Sequence, residues 1–137
     1  HLVVDYAQSL AQMIAAGRYD EVNSDINDRN FPIQGNGRIE LDAELIHFNR
    51  YISSDEALKE LDRLDYRAGT AEELLAFGVA YPEKQREFPI VALGTVRRMS
   101  GVRRVLCLWR DRSERDLDLF WFGNGWDEDC RFLAVRK

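Results

Sequence analysis

A chain of 137 residues is long enough for one domain built on a single substantial core. Its fractions, 45% hydrophobic and 31% charged, are those of a globular protein, and no run approaches the roughly 20 apolar residues that span a bilayer, which argues against membrane insertion. The net charge of −5 disfavours nucleic acid as the default partner.

Residues Asp5–Ala16 carry Tyr6, Leu10, Met13 and Ile14 at helical spacing, and Gly17 suits a C-terminal stop, so a first helix is expected there. Tyr19–Gly37 is polar and turn-rich, punctuated by Phe31-Pro32 and Gly35-Asn36-Gly37. Arg38–Asn49 then alternates. Ile39, Leu41, Ala43 and Leu45 fall on one side and Glu40, Asp42 and Glu44 on the other, which predicts a long half-buried strand. Ile46 and Phe48 change parity, pointing to a bulge or a second buried face near His47.

Ser53-Ser-Asp-Glu56 is a capping box, followed by the apolar stripe Ala57, Leu58, Leu61 and Leu64. A second box, Thr70-Ala-Glu-Glu73, opens a helix containing Leu74, Leu75 and Ala76, which Pro82 should end. From Phe88 the pattern turns to strands. Pro89–Thr95 is a continuous apolar run of the buried type, Arg103–Trp109 and Asp116–Phe122 alternate, and Arg131–Arg136 closes the chain. The fold class is therefore α+β, with helices packed beside a mostly antiparallel sheet and a strand-rich C-terminal half. No repeat or linker divides residues 1–137, so a single domain is expected, and a monomer is the default.

The informative stretch is Asp116–Cys130. Strand residues two apart share a face, so Leu117 and Leu119 can anchor a core while Asp116, Asp118 and Phe120 look outward together. An outward row that mixes acids with a large aromatic is poor design for stability and reasonable design for a binding surface. Gly123-Asn124-Gly125 breaks the pattern as a turn or loop tip. Charge is also unevenly distributed. Arg97, Arg98, Arg103, Arg104, Arg110, Arg112 and Arg115 precede Asp116, Asp118, Asp127, Glu128 and Asp129, so either facing strands exchange charges in surface ion pairs or the region is a charged binding face.

Tyr66-Arg-Ala-Gly-Thr-Ala-Glu-Glu-Leu-Leu-Ala-Phe-Gly78 resembles the second-helix segment of C-type lectin folds of the formylglycine-generating type, and Trp126 with Arg131–Arg136 resembles that fold's last strands. More specifically, Pro89-Ile-Val-Ala-Leu-Gly94, Leu117-x-Leu119, Trp126 and Arg131–Arg136 are similar to the variable proteins of diversity-generating retroelements, especially those of archaea, their viruses and uncultivated bacteria. Ala68 departs from the lectin-type motif, which usually has Pro or Leu there. The resemblance implies a C-type lectin-like fold whose C-terminal segment, approximately residues 97–130, is rewritten by adenine-directed mutagenesis. It implies a non-enzymatic protein that binds a protein or cell-surface ligand. Carried onto this chain, the variable, ligand-binding positions would be Met99, Cys107, Trp109, Asp111, Asp116, Asp118, Phe120, Gly123, Asn124, Gly125, Asp127, Asp129 and Cys130, with Leu117, Leu119, Trp126 and Phe132 as framework.

Other chemistries are weaker. Asp127-Glu128-Asp129 lacks the companion Glu-Pro-Asn or Gln-Pro-Asp of calcium-dependent lectins and reads as a solvated loop, so neither a metal nor a cofactor is expected. Cys107 and Cys130 read as two incidental thiols rather than a bridge, and no motif around them matches the catalytic cysteines of formylglycine-type enzymes. His47 sits on an expected strand, as a packed or hydrogen-bonded histidine rather than a catalytic partner of either thiol. A nucleic-acid module using Arg97–Arg115 and Trp109 is the other alternative, opposed by the acids that follow. The first residues lack the pattern of a secretory leader, but the chain opens on His1 rather than Met, and cellular location stays open.

Overall fold

The computed structural model describes residues 1–137. Both capping boxes form. Ser53 Oγ accepts from the Glu56 N–H and the Glu56 carboxylate accepts from the Ser53 N–H, opening α2 (Ser54–Arg63). Thr70 and Glu73 do the same for α3 (Ala71–Ala80). A third box, Ser9 with Gln12, lies inside the stretch expected to be helical from Asp5 and delays the start of α1 (Leu10–Gly17). The residues ahead of it, Leu2–Asp5, form strand β1 instead, with Leu2 and Val4 buried.

The polar segment after α1 contributes a two-residue strand, β2 (Glu21–Val22), and sends Ile26 and Phe31 into the interior. The long strand expected over Arg38–Asn49 is divided at Asp42. Its first half, β3 (Arg38–Leu41), pairs with β1 in a two-stranded ribbon; its second, β4 (Ala43–Ile46), joins the main sheet. Ile39, expected on the buried side, is 45% exposed, while its partner Val4 in β1, the strand that packs against α3, is 1% exposed. The parity change has the anticipated consequence. Ala43 and Leu45 pack into one core, Ile46 and Phe48 into the other.

The remaining strands are β5 (Tyr66–Ala68), β6 (Ile90–Met99), β7 (Val102–Asp111), β8 (Glu114–Trp121) and β9 (Arg131–Arg136). The sheet order is β2-β8-β7-β6-β9-β4, with β5 also on β9. Pairing is mostly antiparallel; β2 on β8 and β6 on β9 are parallel. The architecture is α+β, with three helices and a strand-rich C-terminal half.

Both faces of the central strands are covered. Ile90, Ala92, Leu106, Leu108, Leu117, Leu119 and Leu133 face the first core with Leu10 and Met13 of α1 and Leu74, Leu75 and Phe77 of α3. Their alternates Val91, Leu93, Val105, Cys107, Phe132 and Ala134 face a second core with Ala57 and Leu61 of α2 and with Phe122, Trp126 and Cys130 from the segment after β8. The helices are thus not confined to one side. The continuous apolar run in β6 requires this, since a strand apolar on both parities must be buried on both. Where β6 passes β5, the Gly94 N–H donates to the Gly69 carbonyl at 2.8 Å, and a Cβ on Gly94 would sit 2.4 Å from that oxygen. Only glycine permits the approach.

Candidate functional site

Register places the sequence-derived residues of β7 and β8 side by side. Cys107 is opposite Asp118, Trp109 opposite Asp116, and Val105 opposite Phe120. Antiparallel partners share a face. Asp116, Asp118 and Phe120 therefore do lie on one face, while Leu117 (1% exposed) and Leu119 (7%) grip the other core.

That face is not the open row the alternation suggested. Asp116 is only 7% exposed, Asp118 and Phe120 are half-buried, and Cys107 and Cys130 are fully or nearly buried. Two different neighbours close it: the segment Phe122–Cys130 folds back over the second face of the sheet at Phe120, while β2, Asn23 and Gln85 flank Asp116 and Asp118. Trp126 is the clamp. Its N–H and C=O exchange hydrogen bonds with Ile52 (2.8 and 3.1 Å), and its indole N–H donates to Ser54 Oγ at 2.9 Å. The Ser54 hydroxyl in turn donates to the Phe122 carbonyl at 2.7 Å. The indole ring meets Phe132 edge-on at 6.2 Å and Phe120 at 6.3 Å, and Phe120 continues to Trp109 at 5.9 Å. The aromatic row thus runs from the interior at Phe132 to a half-exposed end at Phe120 and Trp109.

Asp127 and Asp129 are exposed, as are Gly123 and Asn124, and Gly125 is half-buried beneath Tyr51, whose ring fills the space a side chain would need. Asp129 shares with Trp109 a cleft of about 210 Å³, completed by Gln85, Glu87, Phe88, Pro89 and Arg110. Asp118 is held rather than free: its Oδ1 accepts from Asn23 Nδ2 at 2.9 Å and from the Leu119 N–H at 2.7 Å. Burial, followed by the charges of Glu114, Asp111, Glu21 and Asp118, pushes the Asp116 carboxyl above its ordinary range. Asp111 is exposed at the hairpin end. Met99 does not join the group, because it packs against the first core on the opposite side of the sheet.

The arginine-rich stretch does not exchange charges with the acids that follow it. Arg97 and Arg98 stand opposite Arg104 and Arg103, and Arg110 opposite Arg115. Arg104 pairs with Asp25 at 3.6 Å, Arg103 stacks over the Phe122 ring at 4.5 Å, and Arg115 (5% exposed) donates to the carbonyls of Gly17 and Gly78. One member of the expected basic face is therefore an internal tie between α1, α3 and β8.

No family model, curated protein or solved structure matches this chain.

Both cysteines are free; burial pushes the Cys130 thiol up to about 11 and the Cys107 thiol well above its ordinary value, so neither supplies thiolate near neutral pH. His47 lies just past β4 and is exposed, neither on the expected strand nor in a core; it is hydrogen-bonded, its Nε2 meeting the Glu128 carbonyl at 2.6 Å rather than a thiol. Asp127, Glu128 and Asp129 are all solvent-exposed. Sequence reasoning missed Tyr51 (66% exposed), Trp121 (50% exposed) and Gln85, which is 1% exposed and donates to the carbonyls of Trp109 and Asp116. Trp121 was recoverable, since alternation with Phe120 and Phe122 requires one of the three to face differently. Gln85 carries no signal of its own within a polar segment.

Proposed function

We propose that this chain is a non-enzymatic recognition protein, with a C-type lectin-like fold and a ligand surface on the β7–β8 face and the Phe122–Cys130 segment. The observation that carries this reading is one aromatic row with two characters. Its inner members, Trp126 and Phe132, are locked by packing and by the Ser54 hydrogen bonds, while its outer members, Phe120 and Trp109, are left half-exposed, with the exposed Asp129 sharing a cleft with Trp109. Half-exposed aromatics on a fixed backbone, rimmed by charge, are how rigid paratopes gain contact area at low entropic cost. The recognition positions are Trp109, Asp111, Asp118, Phe120, Gly123, Asn124, Gly125, Asp127 and Asp129, with Tyr51 and Trp121 at the margin. Cys107, Asp116, Cys130 and Met99 are excluded by burial or by facing the other core.

The retroelement origin belongs to the same proposal. A scaffold can be rewritten at surface positions only where its core is independent of them, and the buried Leu119 alternates with the half-buried Asp118 and Phe120 in this way. The ligand class is a protein or other cell-surface structure. Two measurements test the reading. The coding DNA should lie near a close copy of its Met99–Lys137 segment that differs only at adenines, beside a reverse-transcriptase gene; unbiased differences, or no copy, would remove the retroelement origin. Simultaneous replacement of Trp109, Phe120, Asn124, Asp127 and Asp129 by other residues should leave a cooperatively folded protein, and a chain that no longer folds would refute the surface assignment itself.

A further inference from the structure

The tip of the β7–β8 hairpin gathers three carboxylates that form no ion pair, although Arg86, Arg110 and Arg112 line an open cleft at the same turn. Asp111 and Glu114 face each other across the turn Arg112-Ser113, and Asp116 follows two positions on, on the same face. One oxygen from each lies within 4.8 Å of the others. None of the three takes part in any of the chain's ion pairs. Arg110 and Arg115 occupy the alternate positions and so belong to the other face. Like charges directly opposite on paired strands are unfavourable, and a bound cation would relieve that repulsion.

A second observation concerns hydrogen bonding rather than charge. Asp116 is 7% exposed, and its Oδ1, shut from solvent, has no partner. A buried acceptor without a donor is costly, and more so when ionised. The neighbouring Gln85 adds a second case. Its Nε2 is committed to the carbonyls of Trp109 and Asp116, which fixes the orientation of the amide, and its Oε1 is likewise unpartnered. The donor nearest in register, the Trp109 indole N–H, is itself unpaired and does not reach Asp116. A site of three carboxylates, one with an unmet buried oxygen, and with no His or Cys in the cluster, matches a hard cation rather than zinc or copper.

We propose that Asp111, Glu114 and Asp116 bind a hard divalent cation of the calcium type at the hairpin tip. Two of the three ligands are exposed, which leaves room for the waters that complete a coordination shell of six to eight oxygens. Such an open site belongs in the weak range, with Kd about 10⁻⁴–10⁻³ M. It would hold the turn beside Trp109 in one geometry. The inference is independent of the recognition reading, since it needs neither a retroelement nor a protein ligand.

Trp109, directly across from Asp116, makes the test direct. Terbium ion, a calcium surrogate, should emit by energy transfer under indole excitation when added to the full chain, and calcium should displace it. The double variant Asp111→Asn/Glu114→Gln, altered only at exposed positions, should fold normally and weaken terbium binding at least tenfold. Trp109→Phe should reduce the sensitised emission while calcium binding by calorimetry persists. Absence of sensitised emission at millimolar terbium overturns the proposal. So does emission unchanged in the double variant, which would place the ion elsewhere, such as Asp127–Asp129.

Discussion

The segment Phe122–Cys130 is fixed to the domain through a hydroxyl that accepts from one side and donates to the other, and its removal has a calculable effect. Ser54 is 2% exposed; it accepts from Trp126 Nε1 and donates to the Phe122 carbonyl. At a net 0.5–1.5 kcal/mol per hydrogen bond, Ser54→Ala should cost about 1–3 kcal/mol, since it leaves both partners buried without an alternative. Trp126→Phe removes the donor of one bond and part of a ring packed on Phe120 and Phe132, and should cost about 1–3 kcal/mol. Because both variants break the same bond, the double variant should be less destabilised than the sum, by a coupling of about 0.5–1.5 kcal/mol. Urea denaturation of the four proteins provides the cycle, and a domain stable by roughly 5–15 kcal/mol can tolerate all of them. If Ser54→Ala lies within about 0.5 kcal/mol of the parent, like an ordinary surface change, or if the effects simply add, the segment is not held as described.

Other expectations follow from single contacts. Gly94→Ala should destabilise by about 1–3 kcal/mol in the same urea assay, because backbone at Gly69 rather than a flexible side chain meets the new methyl. Leu119→Ala should cost about 2–5 kcal/mol, whereas Trp121→Ala, on the same face but 50% exposed at the end of β8, should stay within about 0.5 kcal/mol; equal losses would contradict the assignment of burial along that strand. Both thiols should react with Ellman's reagent far more slowly in the native protein than in urea, since burial raises both above the neutral range; prompt native labelling would show that the second core is open. Burial alone would raise the Glu73 carboxyl, but the bidentate Arg67 bonds (2.9 and 2.7 Å), the Thr70 N–H and the Arg67 charge outweigh it and hold it below its ordinary value of 4.5. A depressed folded value contributes stability above the unfolded value that is lost as pH falls through the folded one. The parent should therefore lose stability below about pH 4.5 more steeply than Glu73→Gln, and parallel urea midpoints across that window would refute it.

What the amino-acid order determined by itself is local. Capping boxes fix α2 and α3 because their side chains satisfy backbone groups within the same turn, and the Ser9–Gln12 box was equally available to read ahead of α1. Alternation in β7, β8 and β9 assigns each side chain to a face, since the period of two is a property of the strand. Tertiary structure decided which faces are covered. Nothing near Phe120 in the chain indicates that Phe122–Cys130 returns over it, because that return depends on Ile52 and Ser54, some 70 residues earlier, meeting Trp126. The same holds for Asp42, where one alternating run is split between two sheets by partners at opposite ends of the chain, β1 and β9. Parity is written in neighbours and exposure is set by distant partners, so the row Asp116, Asp118, Phe120 could be read as one face but not as a half-closed one.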